Sequence, residues 1–312
     1  MGNTVIRVKE RIREFAEYLP EIENEDSDIF QEQIVNRLKE IDAMSMDCPE
    51  YRNELMDFCF NICADELDNS VIQHHSRHKP FGYAGDYLII DWIHQYKIHS
   101  LSGRGQLWDK AFQSQSASVA VRNRKEFFTR TLSALCEQFA NGMSVLNLAS
   151  GPCRDLVEAA DYIGDKSDIV SFHCVDMDAR AVNYARKVVE ENQPEIDIQW
   201  QVANAFKIQP TSRYDLVWSA GLFDYLNERC AVLLLKKMWS WADEGGTVIV
   251  GNFHPSNSSR NYMEWCGQWF LEYRSEEDML ALCDKAQIPL DYVILEQEPL
   301  GACIFLVAKK PD

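Results

Sequence analysis

The sequence predicts an α/β fold. A mostly parallel sheet with an antiparallel last strand is covered by helices and stands behind an N-terminal helical region. Three observations carry that prediction. From about residue 143, short apolar runs alternate with amphipathic helical runs, which argues a parallel sheet covered on both faces. The last two apolar runs are parted only by the turn Pro299-Leu300-Gly301, so they should pair as an antiparallel hairpin. The first 70 or so residues carry their apolar side chains at helical spacing. The expected division is a helical cap or lid region over 1-125 and a sheet domain over 126-312.

Taken in order, Val5, Val8, Ile12, Phe15 and Leu19 mark a first helix, which Pro20 stops. Ile29, Ile34, Leu38, Ile41 and Met44 mark a second, with Asp26, Ser27 and Asp28 ahead of it as capping oxygens. A third follows Pro49 with Leu55, Phe58, Cys59, Ile62 and Leu67. The segment 74–87 is rich in polar aromatic residues and contains Gly82 and Gly85, which predicts a tight loop with outward-aimed side chains. Helices are expected over 88–96 and 114–128, the latter carrying Arg122 and Arg124. Strands then follow over 144–149, 169–175, 196–202, 214–219, 246–252, 292–297 and 302–308. Helices over 154–163, 179–192, 229–241 and 276–286 fall between them.

The composition narrows the function. Of 312 residues, 31 are Lys or Arg and 49 Asp or Glu, a formal net charge of -18. That field repels phosphate backbones and anionic membrane surfaces, so neither nucleic acid nor membrane is expected as a partner. No apolar run is long enough to span a bilayer, and the first residues lack the apolar core of a signal peptide. The ten cysteines are scattered without a C-x-x-C pair, which reads as buried, reduced thiols. A soluble cytoplasmic protein follows, with its oligomeric state left open.

In open parallel sheets, ligands bind outside the carboxyl ends of the strands. The first such end is Asn147-Leu148-Ala149-Ser150-Gly151-Pro152-Cys153-Arg154-Asp155, where small residues admit a ligand to the backbone and a helix N-terminus offers unpaired N–H groups. The second strand ends at Asp176 and Met177, 25 residues after Gly151, and a carboxylate there can accept both hydroxyls of a ribose. The third is followed by Ala203-Asn204-Ala205-Phe206; Asn204 suits an adenine edge, while Met177 or Phe206 suits its face. A dinucleotide site needs G-x-G-x-x-G around its pyrophosphate, and this loop has one glycine followed by proline. S-adenosylmethionine (SAM) has no phosphate and needs only the ribose acceptor, the adenine slot and contacts for its amino-acid end.

The run 144–252 resembles the class I SAM-dependent methyltransferases. Val-Leu-Asn-Leu-Ala-Ser-Gly-Pro-Cys-Arg-Asp is similar to their glycine loop, His-Cys-Val-Asp-Met-Asp to their acidic strand end, and Tyr-Asp-Leu-Val-Trp-Ser-Ala-Gly-Leu-Phe-Asp-Tyr-Leu to their fourth strand. The two-strand finish matches as well. The resemblance implies a Rossmann-like methyltransferase sheet, SAM as cofactor, and a cofactor site of Ala149, Ser150, Gly151, Asp176, Met177, Asn204, Ala205, Phe206, Ser219 and Arg124. The usual loop is G-x-G-x-G, and only Gly151 of it is kept here. Lys-Pro-Phe-Gly-Tyr-Ala-Gly-Asp and Gly-Asn-Phe-His-Pro-Ser-Asn add a narrower resemblance, to the bacterial 3-hydroxy fatty acid methyl ester synthase group.

For the chemistry, His254 follows the strand 246–252 and is a candidate base, its ordinary pKa suiting proton transfer. Tyr83 and Asp86, in the two-glycine segment, are candidate catalytic groups, largely on the resemblance. Arg124 suits the SAM carboxylate. Phe223 and Tyr225 after the fourth strand, with Trp269, Tyr273 and Arg274, are candidate substrate contacts, although an aromatic stripe at helical spacing also suits a core. His74 and His78 share a helical face at a ligand-compatible spacing but lack the Glu of H-E-x-x-H, and Cys59 and Cys63 lack a second pair, so no metal is expected. The expectation is a SAM-dependent methyltransferase acting on a small molecule at a carboxylate or another heteroatom. The alternatives are a non-catalytic regulatory or scaffolding partner of the same fold, and a nicotinamide oxidoreductase disfavoured by the missing glycines.

Overall fold

The computed structural model describes residues 2–22, 27–139, 142–193 and 195–311. It divides into a helical unit, Met1–Val119 with Ser258–Phe270, and a sheet unit, Ala120–Asn257 with Leu271–Asp312.

The helical unit opens with α1 (Gly2–Tyr18), α2 (Ser27–Ser45) and α3 (Arg52–Ile62). Asp26, expected to cap α2, lies outside the described residues, as do the side chains of Ser27 and Asp28. Most of the predicted stripes face one core: Val8, Ile12, Phe15, Leu19, Ile34, Leu38, Ile41, Leu55 and Cys59 are buried together with Trp108 and Trp265, while Ile62 is exposed and the Ile29 side chain lies outside the described residues. The short α4 (Ala64–Leu67) leads to α5 (Val71–His78), α6 (Tyr87–His94) and α7 (Gly103–Ser114).

Two of these helices depart from the sequence reading. α5 occupies part of the expected loop, with Ser70 as its cap accepting from Gln73 N. Its buried face is Ile72, Gln73, His75, Ser76 and Arg77, mostly polar, so it shows no hydrophobic period. Arg77 donates to Asp68, Phe60 O and Cys266 O, hydrogen bonds standing where apolar contacts usually do. α7 was not expected; it is held by Trp108 and by Asp109, whose carboxylate collects the Ser70 and Ser100 hydroxyls and three backbone N–H groups.

The sheet unit contains most of α8 (Ser116–Gln138), followed by β1 (Met143–Leu148), α9 (Arg154–Ile163), β2 (Val170–Asp176), α10 (Ala179–Asn192), β3 (Asp197–Val202), β4 (Tyr214–Ser219), α11 (Glu228–Trp241) and β5 (Ala242–Phe253). The chain then enters the helical unit for α12 (Arg260–Gly267) and returns with α13 (Glu276–Lys285), β6 (Val293–Gln297) and β7 (Cys303–Lys309). The strand order is β3-β2-β1-β4-β5-β7-β6. β1 to β5 pair in parallel, while β7 runs antiparallel to both β5 and β6, as the short final turn requires. The order reverses between β1 and β4, the switch point where such sheets open a crevice. β5 is longer than expected because Gly245 (φ 71°) forms a bulge inside it. A Cβ on Gly246 would stand 2.9 Å from the Tyr214 carbonyl, so no side chain fits there.

Leu146, Leu148, Val217, Leu234, Leu235, Val248, Val250 and Leu306 share the core beneath the switch point. All ten cysteines are free thiols, and all but Cys230 are buried. Among the described residues no helix is long and apolar enough to cross a membrane.

Candidate cofactor and active site

The loop after β1 has an uncommon backbone. Ala149, Gly151 and Cys153 all take positive φ, at 52°, 55° and 54°. These are the alternate positions at which G-x-G-x-G would place glycine. For a residue with a Cβ this conformation costs ~1–2 kcal/mol, so the surrounding structure must enforce it. Ser150 N donates to Val175 O at 3.2 Å, Gly151 N to Asp176 Oδ2 at 3.0 Å, and Cys153 N to Ser150 O at 3.2 Å. The buried Cys153 also precedes the first turn of α9. The loop thus takes positive φ at three alternate positions with a single glycine among them. A Cβ built on Gly151 would meet nothing within 4 Å, so the loop borders open space. Ser150 Oγ and Asn147 Nδ2 are buried here without a hydrogen-bond partner among the described residues. Buried polar atoms are rarely left so.

Asp176 at the end of β2 is nearly buried. Its Oδ2 accepts from Gly151 N and its Oδ1 from Asp178 N at 2.9 Å, which fixes the carboxylate beside the loop. Burial pushes its pKa up, and the backbone N–H bonds from Asp178 and Gly151 pull it back. A carboxylate has about four acceptor positions, so two bonds leave capacity for a diol. Asp155, in the first turn of α9, is pushed by burial up to about 6. Met177 is exposed beyond Asp176. After β3, exposed Asn204 accepts from Phe206 N through its Oδ1 at 2.8 Å; Ala205 is buried and Phe206 partly so. Ser219, fully buried at the end of β4, donates to Leu148 O at 3.2 Å and joins the two strands at the switch point. The expected cofactor residues from β1, β2 and β3 thus line the carboxyl ends of adjacent strands.

Beyond β4, polar groups hold one another. Arg124 lies buried on α8: NH1 donates to Asp224 Oδ2 at 2.9 Å, Nε to Cys303 Sγ at 3.0 Å, and the guanidinium stands over the Phe253 ring. Its NH2 nitrogen has no partner among the described residues. Asp224 Oδ1 accepts from Phe253 N at 2.6 Å; burial pushes its pKa up, and Arg124 opposes that shift. Arg274 donates to Phe223 O at 2.8 Å, to Asn252 Oδ1 at 2.6 Å and to Leu226 O. Its guanidinium therefore closes the turn that carries buried Phe223 and exposed Tyr225. Tyr273, beside it in sequence, is partly buried. His254 follows β5: its Nε2 pairs with Glu276 Oε2 at 3.1 Å, and its Nδ1 meets Ser256 Oγ at 2.7 Å.

The remaining candidates belong to the helical unit. Asp86 caps α6, accepting from Leu88 N at 3.0 Å and Ile89 N at 3.1 Å, while its Oδ2 pairs with His75 Nε2 at 2.8 Å. Tyr83 is exposed, and Trp269 is buried just after α12. Sequence reasoning passed over Asn147, Cys153 and Glu276. For Asn147 the signal was present, a lone amide inside an apolar strand.

Residues 145–246 match a family model described as a methyltransferase domain. The sheet unit has the Rossmann-like fold of the class I methyltransferases. A comparison with curated protein sequences finds no match. Solved structures agree on the fold. A possible exported protein from Bordetella parapertussis is similar with a TM-score of 0.61 and 16% identity, over 77% of this chain and 86% of that one. The apo form of the S-adenosylmethionine-dependent methyltransferase SibL has a TM-score of 0.53 and 16% identity, over 87% of this chain and 77% of that one. The magnesium protoporphyrin IX methyltransferase of Synechocystis PCC 6803 with bound SAH has a TM-score of 0.52 and 12% identity, over 78% and 99%. At such identities the likeness is one of fold. The stretch matched by the family model begins in β1 and ends in β5, so it contains the loop, Asp176, Asn204 and Ser219 but neither Arg124 nor His254.

Proposed function

We propose that this chain binds SAM and transfers its methyl group to a small molecule, at an oxygen that is already a carboxylate. The observation that carries the cofactor is the loop 149–153. Its left-handed backbone is held against Asp176, it faces open space at Gly151, and it leaves Ser150 Oγ and Asn147 Nδ2 unpaired. These features fit a nucleoside with a polar tail and no phosphate. When bound, SAM supplies an electrophilic methyl on a sulfonium. Asp176 would accept the ribose hydroxyls, Asn204 the adenine edge, with Met177 and Phe206 against its faces. Ser150, Asn147 and the unpaired nitrogen of Arg124 would hold the amino-acid end.

The carboxylate assignment rests on what surrounds the strand ends. Asp224 is bound to Arg124 and to the Phe253 amide, and both ring nitrogens of His254 have partners. An acceptor that is ionised at neutral pH needs no base to remove a proton, only alignment. Phe223, Tyr225 and Tyr273 are its proposed neighbours, with Arg274 acting by holding their turn.

Calorimetry on the full chain tests the cofactor. Wild type should bind both SAM and its demethylated product, and Asp176→Ala should lose ~100-fold, about two hydrogen bonds to a charged acceptor. Near-normal affinity in that variant would put the ribose elsewhere, and silence from wild type would remove the enzyme reading. For the acceptor, His254→Ala should lower kcat less than ~10-fold, because a general base is worth ~10²–10⁴-fold. A loss in that higher range would assign the methyl to an amine or hydroxyl.

A further inference from the structure

The connection from α4 into α5 gathers three side chains that the methyltransferase reading does not use. His78 Nε2 meets Asp68 Oδ2 at 2.8 Å. The His74 ring lies 4.3 Å from that of His78. One ligand atom from each of Asp68, His74 and His78 falls within 4.8 Å of the other two. We propose that these residues form a binding site for a first-row divalent transition ion, with Zn²⁺ as the reference occupant.

The donor set selects the ion. Two imidazoles and one carboxylate suit Zn²⁺, Co²⁺, Ni²⁺ or Cu²⁺, whereas Mg²⁺ and Ca²⁺ take oxygen ligands. Helical geometry supplies the two imidazoles, because residues four apart stand on one face. Arg77 Nε donates to Asp68 Oδ1 at 2.7 Å, so one carboxylate oxygen is clamped and the other is presented to the histidines. Such outer partners orient ligands in established metal sites. The remaining guanidinium nitrogens of Arg77 are turned to the carbonyls of Phe60 and Cys266.

Little movement is required. Tetrahedral ligands ~2.0–2.1 Å from Zn²⁺ stand about 3.3 Å apart, so an ion would replace the hydrogen bond between His78 and Asp68 with a slightly wider separation. Both histidines are exposed, which gives an ion direct entry and leaves the fourth position to water. The net charge of -18 favours cations near the surface. An ordinary ion pair explains His78 and Asp68 but not His74. The His74 side chain makes no hydrogen bond among the described residues, and its ring lies beside that of His78, tilted by 35°.

The test uses the full chain without a histidine tag, stripped with chelator, and titrated with Zn²⁺ by calorimetry. Wild type should bind one equivalent, and His74→Ala should weaken binding at least ~10-fold, since loss of even an outer partner costs ~10–100-fold. Without metal, the variant should melt with wild type, because His74 ties nothing together. Co²⁺ should give a visible d–d absorption in wild type that His74→Ala loses. Absence of Zn²⁺ heat in wild type, or equal affinity in His74→Ala, overturns the site. Neither result bears on SAM binding.

Discussion

Two segments, within the stretches 147–155 and 74–87 that the sequence offers as site-forming, are held in opposite ways: 149–154 after β1 and 79–86 between α5 and α6. Both use left-handed backbone, at Ala149, Gly151 and Cys153 in one and at Lys79, Gly82 and Gly85 in the other. In the second, polar chemistry is already satisfied by the fold: Asp86 places one oxygen on two amides of α6 and the other on His75. In the first, the backbone is as constrained, yet Ser150 Oγ has no partner and the space over Gly151 is open. Constraint alone therefore does not mark a ligand site. Constraint with polar capacity left over does, because the fold has enforced a costly conformation without using the groups it presents.

That contrast can be broken from either side. The largest effect should come from the satisfied segment. Asp86→Ala removes a helix cap, worth ~1 kcal/mol, and strands a buried His75 nitrogen, worth ~1–3 kcal/mol. Denaturant unfolding should register a loss of about 2–4 kcal/mol. If turnover fell far beyond what that instability explains, Asp86 would have chemistry of its own and the contrast would fail. The next effect is at the open loop. Gly151→Ala adds a methyl group that meets no protein atom within 4 Å, so the fold should lose only ~1 kcal/mol of left-handed strain. SAM affinity should fall at least ~10-fold, about 1.4 kcal/mol, measured by calorimetry. Unchanged affinity would mean that no ligand approaches this turn.

Most of the sheet was legible because buried strands write themselves as apolar runs. The expected 214–219 and 179–192 coincide with β4 and α10, and β1 starts one residue earlier than expected. What escaped is what tertiary bonding decides. α5 buries Gln73, His75, Ser76 and Arg77, and a polar buried face has no hydrophobic period to read. α7 was missed, and α8 begins within two residues of the expected 114 but runs ten residues past the expected end at 128. In the site, Asp176 was legible from its place at a strand end. The left-handed Ala149 and Cys153 were not, since residue type assigns that conformation to glycine or asparagine. The departure from three glycines read as a gap in the motif, whereas the backbone keeps the motif's shape.

The smallest predicted effect follows from that last point. If Ala149 is forced left-handed by Ser150 bonding to β2 and Gly151 to Asp176, glycine at 149 should relieve the strain. The exposed Ala149 side chain has little packing to lose. Against the ~1–2 kcal/mol of left-handed cost stands the greater freedom of glycine in the unfolded chain, ~0.4–1 kcal/mol. Ala149→Gly should therefore gain roughly 0.5 kcal/mol in equilibrium unfolding, while Gly151→Ala loses stability. Opposite signs two residues apart are the signature of one enforced backbone. A loss in Ala149→Gly would mean that the alanine methyl makes a contact worth more than the strain it causes, and the loop would then be held by packing on its outer face.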